Sequence, residues 1–224
     1  MKHDMKTANA IIEKALSFVG VKENPAGSNN VIFNTDYYGH PVSGGAYPWC
    51  VTYGWDIFRM CGASDLFYNG QKTASCITVR KWARDEKLTV DKAAGRMGDI
   101  VLFDWNGNDI PDHFGFIVAK NANGSYETVE GNTSKTSNDN GGSVMRRTRY
   151  LNEICEVIRP KYEEEPMEKR YNHVEEMPSY YQPEIQQLIN SGALKGDSNG
   201  NLNLSEDMIR CLLISKRYAE SINK

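Results

Sequence analysis

Four residues able to act as nucleophile, base and orienting groups occur in one order along the chain: Cys50, His113, Glu130 and Asn132. Cys50 ends the run Tyr47-Pro48-Trp49-Cys50, and Val51, Trp55 and Phe58 follow it at helical spacing. Gly44-Gly45 and Pro48 break structure ahead of it, so the cysteine falls in the first turn of a helix. There the positive end of the macrodipole favours thiolate over thiol. The residue's own backbone N–H is also placed to meet a developing oxyanion. His113, in Pro111-Asp112-His113-Phe114-Gly115, supplies a base that takes the thiol proton and later delivers it to a leaving amine. Glu130 and Asn132 stand two apart in Val129-Glu130-Gly131-Asn132-Thr133, on one face of a strand end. Either would hold the imidazole in its productive tautomer. Tyr47 reads as loop packing. The set predicts a cysteine hydrolase.

The surrounding pattern says how such a site would be positioned. Apolar residues from Ala8 to Val19 predict a helix over 6–19, stopped by Gly20. Residues 21–48, rich in Gly, Asn, Pro and Tyr, read as a long loop. Helices are expected at about 50–61 and 75–86. The period then changes to short strands at 99–104, 114–118, 126–130, 144–149 and 155–158, separated by Asn106-Gly107, Asn123-Gly124 and Gly141-Gly142. Helices first and hairpin-linked strands second predict an α+β fold with an antiparallel sheet. The expected domain spans 1–160, followed by an acidic linker over 161–170 (Glu163-Glu164-Glu165-Pro166) and a small helical unit over 171–224.

Composition narrows the classes. The chain has 224 residues, 40% hydrophobic content and a formal charge of -3, enough for a core and without the basic field of a nucleic-acid or anionic-membrane binder. No apolar run approaches a membrane span, so no membrane insertion is expected. The start, Met1-Lys2-His3-Asp4-Met5-Lys6, lacks the apolar centre of a signal peptide, which predicts synthesis in the cytoplasm without a cleaved leader. Five cysteines are an odd number in a chain of this size, and none has zinc spacing. Cys61, Cys76, Cys155 and Cys211 lie among apolar neighbours and read as buried thiols.

Tyr47-Pro48-Trp49-Cys50, Gly98-Asp99-Ile100-Val101-Leu102-Phe103, Asp112-His113-Phe114-Gly115-Phe116-Ile117 and Glu130-Gly131-Asn132-Thr133 together resemble the CHAP family. These are the cysteine, histidine-dependent amidohydrolase/peptidases of bacterial and phage cell-wall lysis, related to the NlpC/P60 enzymes. The resemblance covers roughly residues 8–160. It implies a papain-like fold, hydrolysis of peptidoglycan amide bonds, and catalytic roles for Cys50, His113, Glu130 and Asn132, with Glu130 as the third member. The corresponding expectation is an N-acetylmuramoyl-L-alanine amidase or peptide endopeptidase, a phage endolysin acting on the cell wall. The competing readings are a non-catalytic wall-binding or virion-associated module and an intracellular cysteine protease.

No cofactor or metal is expected. Asp104-Trp105-Asn106-Gly107-Asn108-Asp109 resembles a calcium loop but lacks its sixth-position Gly and has Gly115 where the twelfth-position Glu belongs, so it reads as a hairpin turn. Some CHAP domains carry an aspartate-rich calcium loop before the nucleophile; here Val42-Ser43-Gly44-Gly45-Ala46 holds no carboxylate. Residues 171–224, with Ile185, Leu188 and Ile189 on one face, Gly192, Gly196 and Arg210, are similar to a single S-layer-homology-like motif. That implies attachment to a wall polymer; homodimerisation through the helical pair is the other expectation.

Overall fold

The computed structural model describes residues 6–164 and 169–222. Part of the expected linker (residues 165–168) and the first five residues of the leader reading lie outside them. The chain divides into two compact units, 1–165 and 166–224. Among the described residues, no helix is long and apolar enough to cross a membrane.

The first unit is α+β. Helix α1 (Ala8–Leu16) begins where Thr7 Oγ1 accepts the Ala10 N–H at 3.3 Å, and it buries Ile11, Ile12 and Ala15. It ends short of Val19, which is exposed. Helix α2 (Ile32–Tyr38) interrupts the stretch that reads as a continuous loop. Its sequence, Ile-Phe-Asn-Thr-Asp-Tyr-Tyr, is a weak helix former, so tertiary contact holds it. Phe33 stacks on Trp49 and meets Tyr53 edge-on, while Asn34 is fully buried in a hydrogen-bond network. Helices α3 (Cys50–Met60) and α4 (Cys76–Asp85) follow, each with a cysteine as its first residue.

Strands β1 (Thr89–Val90), β2 (Ile100–Phe103), β3 (His113–Lys120), β4 (Tyr126–Thr133), β5 (Ser143–Arg149) and β6 (Ile154–Ile158) form one sheet in the order β1-β6-β2-β3-β4-β5. All of its pairings are antiparallel. The sheet has apolar clusters on both faces. Ile100, Leu102, Phe114, Phe116 and Val129 join the core built with α1 and α3, while Val101, Phe103, Ile117, Tyr126 and Val157 form a second cluster. Burial on both sides explains why β2 reads as a continuous apolar run rather than an alternating one.

In the second unit, β7 (Arg170–Tyr171) pairs with β8 (Leu204–Ser205), and α5 (Gln182–Asn190) and α6 (Glu206–Ile222) complete the fold. Tyr171, Met177, Tyr181, Ile185, Leu204, Ile209 and Leu213 make its small core. Ser205 Oγ accepts the Met208 N–H at 3.3 Å, capping α6. All five cysteines are free. Cys76 and Cys155 are buried as expected, but Cys61 is only half-buried and Cys211 is exposed. Cys211 departs from expectation because its helix has a single inward stripe, which Ile209 and Leu213 occupy.

Candidate active site

Cys50 is carried into place by the segment before it. Asn34 Nδ2 donates to the Tyr47 carbonyl at 2.9 Å, and Asn34 Oδ1 accepts the Thr52 hydroxyl at 2.8 Å, tying both sides of the nucleophile to α2. Trp49 Nε1 donates to buried Glu23 Oε1 at 2.7 Å, and the Trp49 ring packs against Gly131, where a Cβ would approach it to 2.9 Å. The first backbone hydrogen bond of α3 runs from the Tyr53 N–H to the Trp49 carbonyl. Amides of the first helical turn have no carbonyl behind them, so they form a site for negative charge beside the sulfur.

His113 opens β3 and is fully buried. Its Nε2 lies 3.1 Å from Glu130 Oε2. Nδ1 has no hydrogen-bond partner among the described residues, which leaves it as the ring nitrogen for the thiol. His113 and the Phe114 backbone N–H both favour the Cys50 thiolate. The imidazole lies against Phe103 (centroids 5.8 Å apart) and Trp105 (5.9 Å), which keep water from the ring. Gly115 makes room for the Glu130 side chain, since a Cβ there would stand 2.7 Å from Glu130 Cγ.

Glu130 is fixed by more than the histidine. Arg149 binds it with both arms of its guanidinium, Nε to Oε1 at 2.8 Å and Nη2 to Oε2 at 2.6 Å. Thr128 Oγ1 donates to Oε1 at 2.5 Å. Arg149 is itself buried, stacked over Trp105 at 4.7 Å and Phe103 at 5.2 Å, with Nη1 on Asn138 Oδ1. Sequence reasoning missed this arginine.

Asn132 occupies a different position from the one the two-residue alternation implies. Its φ is +59°, and the β4–β5 register shifts between Glu130 and Thr133. The alternation therefore breaks: Glu130 turns to His113, while Asn132 Oδ1 accepts the Gly142 N–H at 3.2 Å. Asn132 Nδ2 is buried without a hydrogen-bond partner among the described residues. The structure thus brings Cys50, His113 and Glu130 into one chain of contacts, with Asn132 bonded instead to the β5 approach.

Electrostatics follow from this order. Cys50 is held well below the ordinary thiol range, because the adjoining Cys76 thiol and His113 outweigh the burial that opposes ionisation. Burial acts to lower His113, but Cys50 and Glu130 raise it to about 9. Burial acts to raise Glu130, yet Arg149 and His113 bring it down to about 2. A thiolate, an imidazolium, a carboxylate and a guanidinium alternate in sign, so each buried charge has an opposite neighbour. Such a set can attack a carbonyl with sulfur and protonate a leaving group without recruiting water.

The Asp104–Asp112 turn is held by its own polar groups. Asp104 accepts the amides of Asn106, Gly107 and Asp109, Asp112 accepts that of Trp105, and Asp109 pairs with Arg80 at 2.6 Å. A separate cleft of about 690 Å³, lined in part by Leu88, Met97, Pro160 and Tyr162, contains neither thiol nor imidazole among its lining residues.

Residues 42–132 match the CHAP domain family model. The CHAP match contains Cys50, His113, Glu130 and Asn132 and ends before Arg149. At the family level it supports a cysteine/histidine amidohydrolase or peptidase and hydrolysis related to peptidoglycan. No curated protein matches the chain. Among solved structures, "The crystal structure of Ly7917" aligns with a TM-score of 0.40 at 16% identity, covering 69% of this chain and 62% of that one. The alignment therefore spans less than two thirds of that protein's length.

Proposed function

We propose that the first unit is a thiol hydrolase of peptidoglycan amide bonds, an N-acetylmuramoyl-L-alanine amidase or peptide endopeptidase of the phage-endolysin kind. The observation that carries this reading is the buried Cys50–His113–Glu130 relay, with Glu130 clamped by Arg149, inside the CHAP-matching segment. Cys50 thiolate attacks the amide carbon, and the oxyanion forms toward the first-turn amides of α3. His113 passes the Nδ1 proton to the departing amine as the C–N bond breaks, leaving an acyl thioester. Water then gives a proton to His113 and attacks the thioester, releasing the thiolate and a carboxylic acid that ionises in solvent. Glu130 holds Nε2–H and so presents Nδ1 to both steps.

Mass spectrometry of purified walls digested by the full chain tests this. A free lactyl carboxyl on muramic acid with a new alanine N-terminus marks an amidase; a new terminus within the stem or cross-bridge marks an endopeptidase. Walls that gain no new amine or carboxyl end would refute the reading.

For the second unit we propose wall-polymer attachment or dimerisation. Tyr180, Ile214, Tyr218 and Ile222 are large and exposed there, a surface suited to stacking on glycan or to self-association. Co-sedimentation with walls and light scattering of the full chain against a Tyr180→Ala/Tyr218→Ala variant separate the two roles.

A further inference from the structure

The Cys50 sulfur has a second neighbour that forms and breaks no bond in the hydrolytic scheme. Cys76 Sγ lies 4.0 Å from Cys50 Sγ, and both thiols are free and buried. Each cysteine is the first residue of its helix, so two positive helix ends converge on one pair of sulfurs. The other thiols are engaged or remote. Cys155 donates to the Leu102 carbonyl at 3.4 Å, Cys61 donates to the Ala10 carbonyl at 3.7 Å, and Cys211 belongs to the other unit.

We infer that Cys50 and Cys76 form an oxidation site, in which Cys76 resolves peroxide-oxidised Cys50 as a reversible disulfide and switches the hydrolase off. This rests on Cys50 being the nucleophile proposed above. The chemistry needs a two-electron oxidant of the hydroperoxide class. Cys50 thiolate attacks one peroxide oxygen, the O–O bond breaks, and Cys50 sulfenic acid forms with hydroxide as the leaving group. The Cys76 sulfur then attacks Cys50 Sγ. The S–O bond breaks, the S–S bond forms, and the Cys76 proton leaves with the hydroxide as water. Both sulfurs are oxidised by one electron each, and the peroxide is reduced to two waters once the hydroxide from the first step takes the proton that Cys50 had given to His113.

The geometry suits the second step. A disulfide needs sulfurs at about 2.05 Å, so the pair must close by roughly 2 Å through side-chain rotation and small helix shifts. Cys76 is placed for this by its flanks: Ser75 Oγ accepts the Thr78 N–H at 3.3 Å, fixing the start of α4, and Thr73 Oγ1 accepts the Ser75 N–H at 3.2 Å. Cys50 already tends to thiolate while Cys76 is pushed up by the adjoining sulfur and by burial, which divides the roles of attacking and resolving thiol. Without a resolving thiol, a second hydroperoxide adds its oxygen to the sulfenic acid and leaves as water, giving irreversible sulfinic acid.

The test treats the reduced full chain with an excess of hydrogen peroxide, alkylates it with iodoacetamide and maps the peptides by mass. The expected product is a linked peptide pair containing Cys50 and Cys76, lighter by two hydrogens, with both thiols lost to alkylation. Wall-lytic activity should fall at least about tenfold and return with dithiothreitol. In Cys76→Ser, and in Cys76→Ala should the serine variant fold poorly, each measured against its own untreated rate, the loss should become irreversible with sulfinic acid at Cys50. Oxidised wild type whose Cys50 reaches sulfinic acid unlinked would overturn the proposal. A linked pair in a protein whose reduced form hydrolyses nothing would instead keep the disulfide and remove the hydrolase reading.

Discussion

His113 lies between two unlike neighbours. On the strand side, Glu130 is held by two arms of Arg149, by Thr128 and by the imidazole itself, all within a closed polar cluster. On the helix side, Cys50 has a thiol at 4.0 Å, an imidazole and one backbone amide, with its sulfur otherwise unconstrained. The difference teaches where rigidity is spent. The group that only orients is fixed by several charge-assisted bonds, whereas the group that must form and break a bond keeps soft contacts. Substitutions on the two sides should therefore fail differently.

Removing the reacting sulfur is the largest expected effect on rate. Cys50→Ala should lower wall hydrolysis by about 10³-fold or more, since no other thiol meets His113. Its stability should change little, because the side chain it loses is small. A folded Cys50→Ala protein retaining more than about a tenth of wild-type rate would end the nucleophile assignment.

On the strand side the cost moves to stability. Arg149→Met leaves Glu130 with one countercharge fewer in a buried setting, which should lower unfolding free energy by about 3–5 kcal/mol in a urea titration. Glu130→Gln keeps an acceptor for Nε2–H but no charge for the imidazolium. Its rate on soluble muropeptide should fall on the order of 10²–10⁴-fold. Asn132→Ala should lose less, because its Oδ1 serves the Gly142 amide and not the ring. A larger loss at Asn132 would reverse the order and make its unpaired Nδ2 the important donor.

Protonation distinguishes the two sides more finely. His113 is raised from an ordinary 6.5 to about 9, so its charged form stabilises the fold fully below pH 6.5 and that contribution is lost as pH rises through about 9. Glu130 is depressed from 4.5 to about 2, so its contribution is complete above 4.5 and is lost as pH falls toward 2. The rate should hold to about pH 9 and then drop as the imidazolium is titrated. A basic limb near 6.5 would show that Cys50 and Glu130 do not hold the proton on His113.

The contrast also marks what was readable. Gly44-Gly45, Pro48 and the Val51/Trp55/Phe58 spacing put Cys50 at a helix start, and α3 begins there. The hairpin turns gave the α+β arrangement, with strand ends off by as many as three residues, the expected 126–130 running on to Thr133. Arg149 was hidden because Arg146, Arg147 and Arg149 look like a solvated strand. Its burial depends on β4–β5 register, which pairs Thr128 with Arg147 and Tyr126 with Arg149 and so sets Glu130 on the arginine face. Glu130 itself pairs with Met145, so the arginine reaches it along the shared face and not from the directly opposite position. Cys76 was hidden for another reason: nothing local says that two helix starts 26 residues apart meet. Helix α2 escaped because Phe33 and Asn34 are held by tertiary contacts that composition does not encode.

The smallest expected effect concerns divalent cations, whose removal should leave both sides of His113 unchanged. The segment before Cys50, Val42 to Ala46, has no carboxylate. In the 104–112 turn, Asp104 accepts three backbone amides, Asp112 accepts the Trp105 amide, and Asp109 is paired with Arg80. A calcium ion would have to compete with those bonds for the same oxygens, without the bidentate glutamate that usually closes such a loop. The turn does join β2 to His113, so an ion bound there would move the imidazole and register directly in the rate. EDTA should therefore change wall hydrolysis by less than about twofold, with the circular dichroism spectrum unchanged. A larger loss that calcium alone restores would place an ion in the turn and make the strand side of His113 adjustable instead of fixed.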